Sequence, residues 1–318
     1  MSVEPGRSQS HIDALSDTGD WLPFDTAGAG AVAARPRREA KSGQLIAGRY
    51  LLQHVLGRGG MGNVWLAEDA ILVRPVAIKE FTLSEETLDE GEARTRVLGE
   101  AQAAARVRHP GIVGVYDLAI EDGRLWIVME ALSGQTLAQA IRQRGRMDRA
   151  QVMDIAGQLL EALQAMHSAG IVHRDVKPGN VQMSSGGRVV LIDFGLASGS
   201  GPAPPIKPGQ VVGSPPYMAP ESIRDGSFGP ASDLFSLGAT LYAAVEGRQP
   251  FGDLSIFSIL EAVKNEPPPP ARHAGYLRPL IDGLLNKDPQ ARLSSLEALH
   301  CIKAVQSQRV EPAQTVPA

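Results

Sequence analysis

One cysteine, Cys301, is all the chain has, so no intramolecular disulfide can form. Lying in a helix-like stretch, it reads as a small buried apolar residue. No run of about 18 apolar residues is present, which excludes a membrane-spanning helix. The N-terminus also lacks a basic-then-apolar leader pattern, so a cytoplasmic location is expected. Nor is there an excess of positive charge: 31 Lys and Arg against 35 Asp and Glu leave a net −4, no reason to expect nucleic acid as a partner. Aromatic residues are only 5% of the chain. Even so, 318 residues at 43% apolar suffice for a sizeable core. There is no internal repeat.

Residues 1–43 mix Ser, Gly, Ala, Pro and scattered charge without a helical or alternating apolar period, and are expected to be a disordered tail. Trp21, Leu22 and Phe24 form its one apolar island, and Arg35, Arg37, Arg38 and Lys41 a basic linker. From Tyr50 the texture changes. Tyr50–Leu56, Val64–Glu68, Val73–Phe81, Ile112–Ile120 and Leu125–Glu130 read as strands, and about Ser84 to Val107 as a helix. After Gly134 the pattern is mainly helical, with Val152–Met166 and Ala231–Val245 as buried helices. Residues 44–306 are therefore expected to form an α+β domain of two lobes, a sheet-rich one at about 44–130 and a helical one at about 134–306. A short tail, 307–318, follows. A cleft between two lobes is a common place for a ligand.

The chemistry concentrates in His173-Arg174-Asp175-Val176-Lys177-Pro178-Gly179-Asn180 and Asp193-Phe194-Gly195. These residues supply an acceptor for a hydroxyl proton, a lysine for a phosphate and two ligands for Mg²⁺. Phosphoryl transfer needs positioning and charge neutralisation more than covalent chemistry, so this set suits it. Upstream, Leu56-Gly57-Arg58-Gly59-Gly60-Met61-Gly62-Asn63-Val64 fits G-x-G-x-x-G-x-V, where glycines let a backbone lie close over phosphates. A dinucleotide fold would need a helix next, but Val64-Trp65-Leu66-Ala67 is strand-like, which favours a strand–loop–strand reading. Val76-Ala77-Ile78-Lys79 then ends an apolar strand on a lysine. Glu100, on the apolar part of the following helix, is the carboxylate expected to hold it.

Together with Ala219-Pro220-Glu221, these motifs resemble the eukaryotic-type Ser/Thr protein kinases, most closely the bacterial ones, over roughly Ile46 to Gln306. The resemblance implies a bilobal protein-kinase-like fold and transfer of the ATP γ-phosphoryl group to Ser or Thr hydroxyls of protein substrates. Asp175 would accept the hydroxyl proton, Lys177 would neutralise the γ-phosphate, and Lys79 with Glu100 would position the other phosphates. Asn180 and Asp193 would hold Mg²⁺, with Mn²⁺ as an alternative. Gly57, Gly59 and Gly62 would cover the phosphates. Leu56, Val64, Ala77 and Met129 would line the adenine pocket, with backbone groups of Glu130 and Leu132 pairing with the base. Asp233 matches the family's buried support of the catalytic loop, Arg292 the partner of Glu221, and Ser214 a hydroxyl that can bond to Asp175 and Lys177.

Two departures stand out. Relatives often use the arginine before the catalytic aspartate to grip a phosphorylated loop, yet no threonine lies between Gly195 and Ala219. Ser198 and Ser200 are the remaining autophosphorylation candidates there, and Thr18 and Thr26 in the tail, where a phosphopeptide-binding partner would read them. Many bacterial relatives also carry a transmembrane helix and an extracellular sensor after the kinase domain. Without one, the input is expected from inside the cell, and the resemblance allows homodimerisation through the small lobe. The alternative readings are a nucleotide-binding scaffold without activity and a small-molecule kinase. Presence of Lys79, Glu100, Asp175, Asn180 and Asp193 speaks against the first, and Ala219-Pro220-Glu221 against the second.

Overall fold

Alternation along β-strands decides what faces the cleft. The computed structural model describes residues 40–59, 62–81, 99, 105–122, 124–193, 214–252 and 255–310. The expectations placed on Thr18, Thr26, Glu100, Ser198 and Ser200, and on most of the 84–107 helix, fall outside these; Gly99, Ala105 and Arg106 are helical.

Six strands form an antiparallel sheet: β1 (Leu45–Ile46), β2 (Tyr50–Gly59), β3 (Gly62–Asp69), β4 (Arg74–Phe81), β5 (Val115–Glu121) and β6 (Arg124–Glu130), in the order β1-β2-β3-β4-β6-β5. Val64, Lys79 and Ile127 are in register across β3, β4 and β6, as are Leu66, Ala77 and Met129. With a side-chain period of two, these residues share one face and the Trp65, Ile78, Val128 row takes the other. Ala77, Phe81, Ile127 and Met129 join the core that continues into the helices. Lys79 is thereby carried into the cleft, while Glu80 points the opposite way and pairs with buried Arg124 at 2.8 Å.

The strand expected from Ile112 begins only at Val115. Ile112 instead bridges Leu191 in parallel, with Val113 N donating to Leu191 O and Leu191 N to Gly111 O. Ile112 and Val113, which would have lengthened β5, thus join Gly111 in tying the sheet to the helical half, while Gly114 O accepts from Glu130 N of β6.

That half is built around α4. The helices are α1 (Leu137–Arg144), α2 (Arg149–Ser168), α3 (Pro220–Asp225), α4 (Pro230–Glu246), α5 (Ile256–Asn265), α6 (Arg278–Leu284) and α7 (Ser295–Val310). Every residue of α4 from Ser232 to Val245 is buried, so it is a core helix rather than an amphipathic one. α2 and α6 pack against it. α1 opens on a Thr136–Gln139 capping box and α2 on Asp148, whose carboxylate accepts from Ala150 N at 2.7 Å. α4 ends at Gly247, whose φ of +75° suits glycine and whose position leaves no room for a Cβ against Gly145 O. α7 continues four residues past Gln306, with no Gly or Pro before Pro312 to stop it. A small sheet of β7 (Gln135–Thr136), β8 (Val181–Met183) and β9 (Val189–Leu191) carries the segments on either side of the catalytic motifs. None of the described helices is long and apolar enough to cross a membrane.

Candidate active site

A buried carboxylate on α4 organises the catalytic loop. Asp233 accepts from His173 N, Arg174 N and His167 Nε2, each at 2.8 Å. Arg174 has a φ of +67°, a left-handed backbone uncommon outside glycine, and the Asp233 bonds hold it there. Burial drives the His173 pKa down despite the opposing pull of Asp233 and Asp175. Its tautomer follows from its neighbours. Asp175 N can only donate, so Nδ1 accepts (3.3 Å); Ile192 O can only accept, so Nε2 carries the proton (3.2 Å).

Asp175 is thus fixed by its backbone, and three groups then fix its carboxylate. Lys177 Nζ donates to Oδ2 at 2.6 Å and Asn180 Nδ2 at 2.8 Å, while Ser214 Oγ donates to Oδ1 at 3.2 Å. Lys177 Nζ also reaches Ser214 Oγ at 2.9 Å. The turn Pro178–Asn180 brings the asparagine back under the loop, where Nδ2 bonds Asp175 O as well.

Across the cleft, Lys79 Nζ donates to Asp193 Oδ1 at 2.8 Å. Asp193 has a φ of +55°, and the adjoining Ile192 N donates to Asn180 O, so the two oxygen-bearing residues belong to one bonded segment. The β2–β3 hairpin above pairs Gly57 with Val64 and Gly59 with Gly62; Gly60 and Met61 lie outside the described residues. Gly62, at φ +135°, passes so close to Glu80 O that a Cβ would sit 2.0 Å from it, so glycine is required there for backbone approach.

Residues of both lobes join one apolar cluster here: Val64, Ala77 and Met129 from the sheet, Leu132 and Met183 from the segments below. Leu56, at the lip, is half exposed. Glu130 N donates to Gly114 O at 2.8 Å, so this backbone donor is committed inside the protein. Its carboxylate pairs with both terminal nitrogens of Arg188, whose Nε donates to Pro110 O at 2.7 Å. The Arg188 bonds hold the Glu130 pKa below the usual carboxylate range. This hinge pair was not anticipated from sequence.

Beside Asp175, the turn Pro215–Tyr217 is anchored by Ser236 Oγ on Tyr217 O at 2.7 Å. Glu221 and Arg292 form the expected pair, bidentate at 2.7 and 3.0 Å. Burial pushes the Glu221 carboxyl up, but the Arg292 bonds outweigh it and the net shift is downward. Among the described residues Arg174 stacks its guanidinium over Phe228, 5.6 Å from the ring centroid. The structure brings together Lys79 with Asp193, and Asp175 with Lys177, Asn180 and Ser214. Glu100 lies outside the described residues.

A small twisted sheet joined by a single hinge to a helical lobe, with paired carboxylate, amide and lysine groups at their junction, defines a bilobal phosphotransferase class. Residues 50–302 match the family model described as protein kinase domain, and the chain belongs to that family. It is similar to the serine/threonine-protein kinase PknA of Mycobacterium tuberculosis, 37% identical over 286 residues, 86% of this chain and 66% of that one. The serine/threonine-protein kinase PksC of Streptomyces coelicolor is 39% identical over 290 residues, covering 86% and 52%. PrkC of Bacillus subtilis is 36% identical over 260 residues, covering 80% and 40%. The chain thus spans less than two thirds of the length of these relatives.

Proposed function

We propose that this protein is a cytoplasmic serine/threonine protein kinase that transfers the γ-phosphoryl group of ATP to hydroxyls of protein substrates and to its own serines and threonines. The observation that carries this reading is the Asp175 carboxylate, held by Lys177 and Asn180 with an alcohol, Ser214 Oγ, already 3.2 Å from its Oδ1. In the reaction Asp175 orients the acceptor hydroxyl and takes its proton. Lys177, beside it, meets the charge on the transferred group. Lys79 steadies the remaining phosphates, and Gly57, Gly59 and Gly62 let the hairpin backbone lie over them.

Mg²⁺ fits the donors present. Asn180 Nδ2 is committed to Asp175, which leaves the amide Oδ1 as a neutral oxygen ligand. Lys79 takes Oδ1 of Asp193 and leaves Oδ2. Two protein oxygens plus phosphates and water match the habits of this hard, reluctantly dehydrated ion. Held by Asn180 and Asp193, it would supply positive charge against the phosphates, with Mn²⁺ able to serve in its place. Val64, Ala77, Met129, Leu132 and Leu56 would enclose adenine. Since Glu130 N is taken, the base is expected to find its donor at Leu132.

The test is incubation of wild-type and Asp175→Asn protein with labelled ATP and Mg²⁺, followed by phosphosite mapping. A fall in turnover of roughly 10²–10⁴ with nucleotide binding retained supports Asp175 as the base. Equal labelling of both proteins, or label on tyrosine alone, overturns the reading.

A further inference from the structure

The helical lobe carries a second polar cavity, remote from the cleft. Three chain segments converge on it. Met147 N donates to Ala244 O at 2.8 Å, bringing the α1–α2 loop against the end of α4. Arg149 Nε donates to His273 O at 2.8 Å, bringing in the segment before α6. Gly247 seals the junction by its close approach to Gly145 O. The cavity between them measures about 430 Å³. Met147 and Val245 give it an apolar floor, and Arg146 and Arg149 a cationic wall, with Asp148, His273 and Tyr276 completing the lining.

Charge around it is one-sided. Between 142 and 149 the chain has Arg142, Arg144, Arg146 and Arg149 against Asp148 alone, all exposed, and Arg248 and Arg272 lie on the flanking segments. The nearby carboxylates are already engaged. Asp148 caps Ala150 N, and Glu246 accepts from His273 N at 2.6 Å and His273 Nδ1 at 2.9 Å. Among the described residues Arg146 makes no hydrogen bond or ion pair. Helix dipoles explain arginines in the last turn of α1, but not one at the mouth of a cavity without a partner.

From these observations we infer that the cavity is a docking site for a polypeptide segment bearing a phosphorylated serine or threonine. Two or more guanidinium groups facing one concavity suit a dianion with three acceptor oxygens. The apolar floor takes a neighbouring apolar side chain, which a flat membrane surface could not deliver. A chain with net charge −4 has no general affinity for nucleic acid. The site sits at the N-terminal end of α2, a 20-residue helix whose other end leads into the catalytic loop. At 1.5 Å per residue that separation is about 30 Å. A docked segment therefore reaches Asp175 only when about ten or more extended residues intervene. The arrangement would direct the kinase to substrates that already carry one phosphate.

Binding can be tested without catalysis, in Asp175→Asn protein, using a fluorescein-labelled peptide with one phosphothreonine followed by phenylalanine. Anisotropy is expected to show saturable binding that a saturating ATP analogue leaves unchanged. Arg146→Glu should weaken it by about tenfold or more, as loss of a charged hydrogen bond does, with the melting curve unaltered. Unchanged affinity in Arg146→Glu, equal binding of the unphosphorylated or glutamate peptide, or displacement by the ATP analogue would each overturn the proposal. A second measurement rests on the kinase reading. With active enzyme, Arg146→Glu should raise KM for a substrate whose phosphothreonine lies about 15 residues from the acceptor and leave kcat unchanged. Substrates with a spacing of about five residues should not respond. Absence of any activity would count against the kinase reading and leave the binding result standing.

Discussion

Lys79 and Asp193 meet at 2.8 Å across 114 residues of sequence, one from the sheet and one from the segment that follows β9. The lysine is buried and its partner only part-buried, so the pair marks the point where the two lobes share charge. Lys79→Met should lower kcat by roughly 10²–10³, the loss typical of one preorganised donor to a developing charge. Steady-state kinetics beside binding of a non-hydrolysable ATP analogue will check it. A variant with normal kcat would remove Lys79 from the mechanism.

Ser214 bridges both working groups of the catalytic loop, accepting from Lys177 and donating to Asp175. Ser214→Ala should reduce kcat/KM by about 10- to 100-fold, the range for a hydrogen bond to a charged group. Ser214→Thr keeps the hydroxyl and is expected to stay within a few-fold of wild type. If alanine and threonine behave alike, the hydroxyl is not what matters.

His173 is buried and neutral, its pKa lowered by burial from 6.5. The unfolded chain binds a proton near that value and the native state does not, so acid favours unfolding. Stability should fall as pH drops from 7 to 5.5, with a slope of at most about 1.4 kcal/mol per pH unit from this one proton. Denaturant titrations at several pH values across that window give the slope. A flat profile would mean that His173 keeps its ordinary pKa.

Glu221→Gln removes the charge facing Arg292, whose side chain is wholly buried. Leaving such a cation unpaired costs about 3–5 kcal/mol, and the urea midpoint should fall accordingly. Replacing both residues by apolar ones should recover part of that loss. A single variant as stable as wild type would show that the pair is dispensable.

Much of this molecule was legible because catalysis dictates residue types at short spacing. Asp175, Lys177 and Asn180 fall within six residues, and their mutual bonds follow from one loop and one turn. The strands around Lys79 were readable as short apolar runs between glycines and polar turns, and the pairing then puts Lys79 and Ala77 on one face. What escaped was contact between distant segments. Glu130 and Arg188 are 58 residues apart, and nothing local marks either as half of an ion pair. The late start of β5 has the same origin. Ile112 looks like strand, and it does pair, but with Leu191 of the other lobe.

The hinge pair has a pharmacological corollary. With the Glu130 carboxylate neutralised by Arg188 and its N–H closed onto Gly114 O, an inhibitor competing for the proposed ATP site would find no anionic anchor at this residue. A basic amine grafted onto an adenine mimic to engage Glu130 would gain nothing. If Met129, in register with Ala77, lines the adenine site as proposed, its thioether is where selectivity would be sought.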